Sequence, residues 1–381
     1  MTRKLYYEDS YIKEFSATVL SCEKAGEHFV VVLDKTAFFP EEGGQYSDNG
    51  KLGEATVACV NEKDGVIYHY TDSEIAVGEC VVGQINFDER YEKMQCHSAE
   101  HILSGLFHKH FCVDNVGFHL GADDVTMDIS EPLTDEQISF VELLANEAVY
   151  KNIEITAEFP DLSELSQMQY RAKLDLTENV RIVNIGEYDS CACCAPHVKY
   201  TGEIGLIKIL DYAKLRGGLR LHITAGRRAM RYFCECFDRV QSVSAQLSVP
   251  KSEIHNGVKK LLDDYSTLKS EFSEYKLNVM RREAESLPQT DGNLVKVFSD
   301  ATMAEMIAFS NEALPKVSGM LVLLSGTDGD YKYAISSSTV DLRGRIAEIN
   351  KSLLGRGGGK TNMVQGSFAS SLDAIKAYFN P

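Results

Sequence analysis

The segment His97-Ser-Ala-Glu-His101 constrains this chain more than any other feature. On a helix, two histidines four residues apart share one face, about 5–6 Å from each other, and can point at one metal ion. Glu100, on a neighbouring face, need not point there. A second pair of candidate ligands lies far along the chain, in Cys193-Cys194-Ala195-Pro196-His197. His97, His101, Cys193 and His197 together form a His3Cys set, which suits tetrahedral zinc. Cys191 or Cys194 could replace Cys193. A fold that uses this set must bring a helix and a distant cysteine-rich turn to one point.

At 381 residues the chain exceeds the usual size of one domain, and its patterning predicts an α+β protein in four segments. Residues 1–88 read as short strands: Phe29-Val-Val-Val-Leu33, Thr56-Val-Ala-Cys-Val60 and Gly65-Val-Ile-Tyr-His-Tyr70 are separated by Gly-, Asn- and Asp-rich turns. That spacing predicts a small β-barrel or sandwich, with the barrel preferred. Residues 89–235 read as a two-layer α/β domain carrying the metal ligands. Helices are expected at 90–109 and 134–151, the second N-capped by Thr134, with a strand at 124–128. Residues 236–290 form a helical segment, in which Ile254, Val258, Leu261, Tyr265, Leu268, Phe272, Tyr275 and Val279 keep the alternating three- and four-residue step of a coiled-coil seam. The alternative is one long helix packed on its own domain. Residues 291–381 return to α/β, with a hairpin turning at Thr327-Asp-Gly329, a helix at 341–354 and then a glycine-rich stretch at 355–366.

The net charge of −17 argues against general affinity for nucleic acid. One stretch is different. From Lys199 to Arg231 there are eight lysines and arginines against Glu203 and Asp211, a local balance of 8 − 2 = +6. The ten cysteines are scattered apart from the trio at 191, 193 and 194, and read as thiols or metal ligands rather than disulfides. The amino-terminal residues lack the apolar core of a signal peptide, and no run of 18 apolar residues occurs, so a cytoplasmic protein is expected.

Four segments resemble a known family, the AlaX alanyl-tRNA editing proteins, together with the corresponding editing region of alanyl-tRNA synthetase. They are Phe38-Phe-Pro-Glu-Glu-Gly-Gly-Gln45 with Asp48-Asn-Gly50; Met94-Gln-Cys-His-Ser-Ala-Glu-His-Ile-Leu103; the stretch from Cys193 to Gly205; and the glycine-rich stretch at 355–366. The last is similar to a signature of the synthetase's C-terminal domain, which is shared with DHH-type phosphoesterases. The four occur in the family's order, and the chain's length points to the long form of AlaX.

The resemblance implies one zinc ion per chain, held by His97, His101, Cys193 and His197. It implies a trans-editing hydrolase that deacylates tRNA(Ala) mischarged with serine, and possibly with glycine. Gln45 is expected beside the aminoacyl group, and Thr36 falls on a family threonine that senses the serine hydroxyl. Arg216, Arg220, Arg356 and Lys360 are the expected RNA contacts. The glycine-rich stretch could also cradle phosphates with backbone N–H groups, although it lacks P-loop spacing. A homodimer through the helical segment and the C-terminal domain is expected. The chain departs from the family at two places: Glu42 stands where the family has a turn glycine, and Cys194-Ala195-Pro196 replaces Gly-Gly-Thr, so that a proline fixes φ and removes an N–H. Those departures keep two alternatives open, a tRNA-binding zinc module without activity and a zinc-dependent esterase or amidase acting on a small substrate.

Overall fold

The computed structural model describes residues 1–122, 124–172 and 180–380. It divides into two compact units, Met1–Gln241 and Ser242–Pro381.

The first unit begins with β1 (Arg3–Lys4), β2 (Glu14–Ala25), β3 (His28–Leu33), β4 (Lys35–Thr36), β5 (Gly50–Leu52), β6 (Ala55–Lys63), β7 (Val66–Thr71) and β8 (Cys80–Ile85). Six of these pair in the order β2-β3-β7-β6-β5-β8, and β8 returns to β2, so the sheet closes on itself. β8 alternates exposed and buried residues along its whole length, as the two-residue period of a strand requires. Its buried Val81 and Ile85 meet Phe15, Val19, Leu33, Val57 and Ile67 inside the ring. β1 and β4 form a short parallel pair.

The long helix α1 (Phe87–Phe111) follows, and is buried almost continuously from Arg90 to Phe107. Next come β9 (Asn115–Leu120), β10 (Val125–Ile129) and α2 (Asp135–Lys151), whose cap is a reciprocal Thr134–Gln137 capping box. After β11 (Thr156–Glu158) and the one-turn α3 (Leu162–Leu165) come β12 (Ile182–Ile185), β13 (Asp189–Ala192), β14 (Ile207–Leu215), β15 (Gly218–Ala225) and α4 (Gly226–Leu247). The sheet β14-β15-β10-β9 shares an apolar core with α1 and α2, and β11-β12-β13 forms a separate three-stranded sheet.

The loop between β4 and β5 is tied to α1 by buried charge. The Arg90 guanidinium donates to both carboxylate oxygens of Asp48, and also to the carbonyls of Ala37 and Ser10. Asp48 accepts in addition from the Phe39 N–H, and the Lys93 ammonium donates to the Ser47 carbonyl while lying 3.7 Å from the Tyr46 ring centroid. Arg90 and Asp48 are both essentially inaccessible to solvent.

The second unit contains α5 (Ile254–Glu285), β16 (Leu294–Phe298), α6 (Met303–Ala313), β17 (Met320–Thr327), β18 (Asp330–Ser337), α7 (Leu342–Ser352), β19 (Gly355–Gly359), β20 (Met363–Phe368) and α8 (Leu372–Phe379). Its sheet runs β16-β17-β18-β20-β19, and its central strands β17 and β18 are buried on both faces. Leu321 and Leu323 of β17 enter the core shared with α6, whereas Val322 and Leu324 enter the core shared with α7 and α8. The apolar seam of α5 is uncovered among the described residues: Leu261, Tyr265, Leu268, Phe272 and Tyr275 each retain more than half of their accessible surface.

The glycine-rich stretch is built as a hairpin rather than as an open loop. It is the edge hairpin β19–β20, paired from Gly355↔Phe368 to Gly359↔Val364, so the backbone groups on one side of β19 bond the neighbouring strand. Its glycines answer to close packing. A Cβ on Gly357 would lie 2.5 Å from the Tyr333 hydroxyl, and one on Gly366 would lie 2.2 Å from the Arg356 carbonyl oxygen.

Inside the closed sheet, His69 is fully buried. Its Nδ1–H donates to the Val31 carbonyl at 3.1 Å and its Nε2 accepts from the Thr36 hydroxyl at 2.8 Å. Burial pushes the imidazole down to about 4 from 6.5, against the opposing pull of the Val31 carbonyl. As pH falls from 6.5 towards 4, the unfolded chain takes up this proton before the folded chain does. The stability due to neutral His69 is therefore full above pH 6.5 and is lost by about pH 4, a change of roughly 3 kcal/mol. His69→Gln should be less stable than wild type at pH 7.5 by urea unfolding, and the gap should narrow steadily towards pH 4. A gap that does not change with pH would contradict this.

Candidate metal centre

α1 and the loop after β13 build the site. His97 and His101 lie on one face of α1 with ring centroids 5.5 Å apart, and the His197 ring is 5.0 Å from the first and 4.6 Å from the second. Cys193 Sγ lies 3.5 Å from His97 Nε2 and 3.4 Å from His197 Nε2. One ligand atom from each of His97, His101, Cys193 and His197 lies within 4.8 Å of the others, so the cluster could bind a metal ion.

The outer nitrogen of every ring is engaged. His97 Nδ1 bonds Gln45 Oε1 at 3.0 Å, His101 Nδ1 bonds Asp189 Oδ2 at 2.9 Å, and His197 Nδ1 bonds Ser98 Oγ at 3.0 Å. With Nδ1–H donated outward, each Nε2 is left with its lone pair facing the centre, the tautomer a metal requires. The thiol completes the donor set. Burial alone would raise Cys193; protons on His97, His101 and His197 outweigh it in the metal-free site and lower the group well below its ordinary value, and a metal ion replacing those protons would favour thiolate in the same way. Burial pushes Cys191 up to about 11, and burial beside the Cys193 thiolate and Glu42 pushes Cys194 up as well. Of the three cysteines left open by the sequence, Cys193 is the one in the four-residue cluster. Cys191 groups instead with His101 and Asp189.

Two close approaches make this geometry possible. A Cβ on Gly105 would lie 2.1 Å from the Tyr188 carbonyl oxygen, so only glycine lets the start of β13 come near enough to α1 for Asp189 to reach His101. Gly44, at φ +79°, would collide with the Phe118 carbonyl at 2.3 Å if it carried a Cβ. That turn delivers Gln45 to His97. Arg171 grips Asp189 with two bonds of 2.7 and 2.9 Å, and burial of this carboxylate is outweighed by His101 and Arg171, which keep it ionised. Arg181 donates to the carbonyls of Cys193 and Ala195 at 3.0 and 2.9 Å, fixing the ligand loop.

A cavity of about 600 Å³ opens over the cluster, lined by His97, His101 and Cys193 together with Glu42, Tyr7, Phe118 and Phe159 among others. Glu100 also lines it. One Glu100 oxygen accepts from Ser104 Oγ and Asn115 Nδ2, and the other lies 4.0 Å from His101 Nε2. Its only sequence signal was its place inside His97-Ser-Ala-Glu-His101. Ser98 shared that signal, whereas Asp189, Arg171 and Arg181 gave none, because they meet the ligands only through the fold.

Thr36 ends β4, next to the loop that carries Gln45. Its hydroxyl is fully buried in the closed sheet, bonded to His69 and to the Phe38 N–H, and it does not line the cavity. The basic stretch is mostly paired. Lys199 pairs with Asp9, Lys208 with Glu142, Arg220 with Asp128, Arg227 with Asp88, and Arg228 and Arg231 with Glu92. Five acidic partners from distant segments thus offset most of the local +6. Arg216, with Lys214, remains exposed near the β14–β15 turn with no ion pair among the described residues. Arg356 and Lys360 lie exposed at the β19–β20 hairpin.

Two family profiles match the chain: tRNA synthetases class II (A) over residues 4–89, and the threonyl and alanyl tRNA synthetase second additional domain over residues 180–222. The second match includes Cys193 and His197, and the first ends within the first turn of α1, ahead of His97. More particularly, the chain resembles the long-form AlaX proteins along nearly its whole length. It is 28% identical to alanyl-tRNA editing protein AlaX-L of Pyrococcus horikoshii, over 98% of this chain and 96% of that one. It is 32% identical to an alanine–tRNA ligase of Halobacterium salinarum over 86% of this chain, and 28% identical to one of Ignicoccus hospitalis over 95%. It spans only 38% and 40% of those two ligases. The C-Ala domain from Aquifex aeolicus alanyl-tRNA synthetase matches 23% of the chain at 20% identity, with a TM-score of 0.21.

Outer partners of metal-bound histidines usually contribute ten- to a hundredfold in affinity, so Asp189→Asn should weaken divalent-metal binding by about that factor. Competition with a chromophoric chelator measures it. Unchanged affinity would mean that His101 needs no help from Asp189.

Proposed function

We propose that the chain is a zinc-dependent editing hydrolase that deacylates tRNA(Ala) mischarged with serine, and with glycine as a second substrate. The observation that carries this reading is the convergence of three imidazole Nε2 atoms and one thiolate, each ring held by an outer partner, on the floor of a cavity. The similarity to AlaX-L supplies the substrate class.

His97, His101, Cys193 and His197 would hold one zinc ion. Bound there, zinc would polarise an oxygen or lower the pKa of water. Four protein ligands make a closed site, so we assign the metal chiefly to holding the cavity in shape. The chain's own groups orient the ester. The Gln45 amide nitrogen is fully buried with no hydrogen-bond partner among the described residues, at a cost of about 1–3 kcal/mol for an unmet donor. The aromatic walls Tyr7, Phe118 and Phe159 suit the terminal adenosine, whose base can stack on them.

The need for such an enzyme is physical. A synthetase pocket sized for alanine cannot strongly exclude glycine, or a side chain that merely adds a hydroxyl. A second site acting after acylation completes the discrimination. Lys214 and Arg216 near one turn, and Arg356 and Lys360 on the edge hairpin, are the basic groups we assign to tRNA phosphates. The uncovered α5 seam suits pairing with a second copy of the chain, since exposed heptad faces of this kind associate. No described helix is long and apolar enough to cross a membrane, which fits a cytoplasmic role.

The test is deacylation of tRNA(Ala) charged with serine, glycine or alanine. The intact chain should clear the seryl ester, and His101→Ala should lose both zinc and that activity. A zinc-loaded chain that leaves every ester intact would instead favour a binding module, and clearance of small esters alone would favour a general esterase.

A further inference from the structure

The charged residues that line the cavity are nearly all committed to internal partners. Lys4 pairs with Glu62 at 2.6 Å, Arg171 with Asp189 at 2.7 Å, and Arg181 serves the two loop carbonyls. Glu100 is bonded to Ser104 and Asn115. Glu42 differs: it lines the cavity and has no ion pair among the described residues. Among the described residues its carboxylate has one hydrogen-bonding neighbour, the Cys194 thiol, a weak donor, and burial raises it above the ordinary carboxylate value. Its other near charges are mostly negative, because Glu62 and the Cys193 thiolate lie on the same side and Lys4 is already paired with Glu62. The location is one cation short.

The position of Glu42 is also fixed. The Glu42 N–H donates to the Gln45 carbonyl at 3.1 Å and the Gln45 N–H donates back at 3.0 Å, closing the turn through Gly43 and Gly44, both at positive φ. The turn that sets Gln45 against His97 therefore also sets Glu42 at the cavity rim, beside Cys194 and one residue from the ligand Cys193. An aminoacyl ester carries a cation of the right kind in the right place. Its α-ammonium is two bonds from the carbonyl carbon and provides N–H donors for a carboxylate.

We propose that Glu42 binds the α-ammonium group of the aminoacyl ester and makes the site selective for esters with a free amine over those whose amine is acylated. This rests on the deacylase reading above and adds to it a residue that the AlaX-like turn, with glycine at this position, does not provide. A neutral amide on the substrate would leave the Glu42 carboxylate without its cation and would crowd it with the acyl group.

The experiment compares wild type and Glu42→Gln on seryl-tRNA(Ala) and N-acetylseryl-tRNA(Ala), with bound zinc measured in both proteins. Wild type should prefer the free amine. Glu42→Gln should keep its zinc and lose about ten- to a hundredfold in kcat/KM on seryl-tRNA(Ala), mainly through KM, the range expected for one charge-assisted hydrogen bond. Its rate on the acetylated ester should stay at the wild-type value. If Glu42→Gln slows both esters equally, or leaves their ratio unchanged while wild type is active, Glu42 does not read the amine and the deacylase reading stands. If wild type cleaves neither ester, that reading fails and the role of Glu42 fails with it.

Discussion

The buried ion pair between Arg90 and Asp48 is the constraint on which the rest of the site depends. Two unlike charges enclosed among apolar residues cannot separate cheaply, and removing one partner of such a pair costs about 3–5 kcal/mol. Helix geometry passes this constraint on. At 100° per residue, positions 97 and 101 each fall within about 20° of position 90 around α1, on either side of it. The face that grips Asp48 is therefore the face that presents His97 and His101. Three residues before Asp48 the same loop places Gln45 against His97. The loop and the helix are registered by charge at one end and by an imidazole–amide bond at the other.

The other half of the centre is held by a different device. The ligand loop from Cys193 to His197 has little regular structure, and Arg181 ties its carbonyls down from β12's flank. Asp189, just before it, joins His101 to Arg171. The cluster is thus assembled from a rigid helix and a stapled loop, and each imidazole has one nitrogen spent on the protein before any metal arrives. A preformed donor set of this kind costs little to order on binding, as high metal affinity requires.

Much of this was legible in the sequence because it is local. The four candidate ligands lie in two short motifs, the Thr134 cap sits in a capping box, and the α5 seam repeats along one helix; spacing alone exposes such features. The glycine-rich stretch was ambiguous because the same residues serve phosphate loops and crowded hairpins, and only the neighbouring Tyr333 distinguishes them. The basic stretch misled because its carboxylate partners, from Asp9 to Glu142, come from elsewhere in the chain. Thr36 lay near the right motif, but its strand turns the hydroxyl inward to His69. Asp189, Arg171 and Arg181 acquire their places only through long-range packing, which a motif does not encode.

The central claim is that one thiolate and three imidazoles hold a single metal, with Cys191 and Cys194 outside the shell. X-ray absorption at the zinc edge of the full-length protein tests it most directly. The account predicts one zinc per chain with one sulfur at about 2.3 Å and three nitrogens at about 2.0–2.1 Å. Two or more sulfurs in the first shell, a shell without sulfur, or no stoichiometric zinc at all would contradict it.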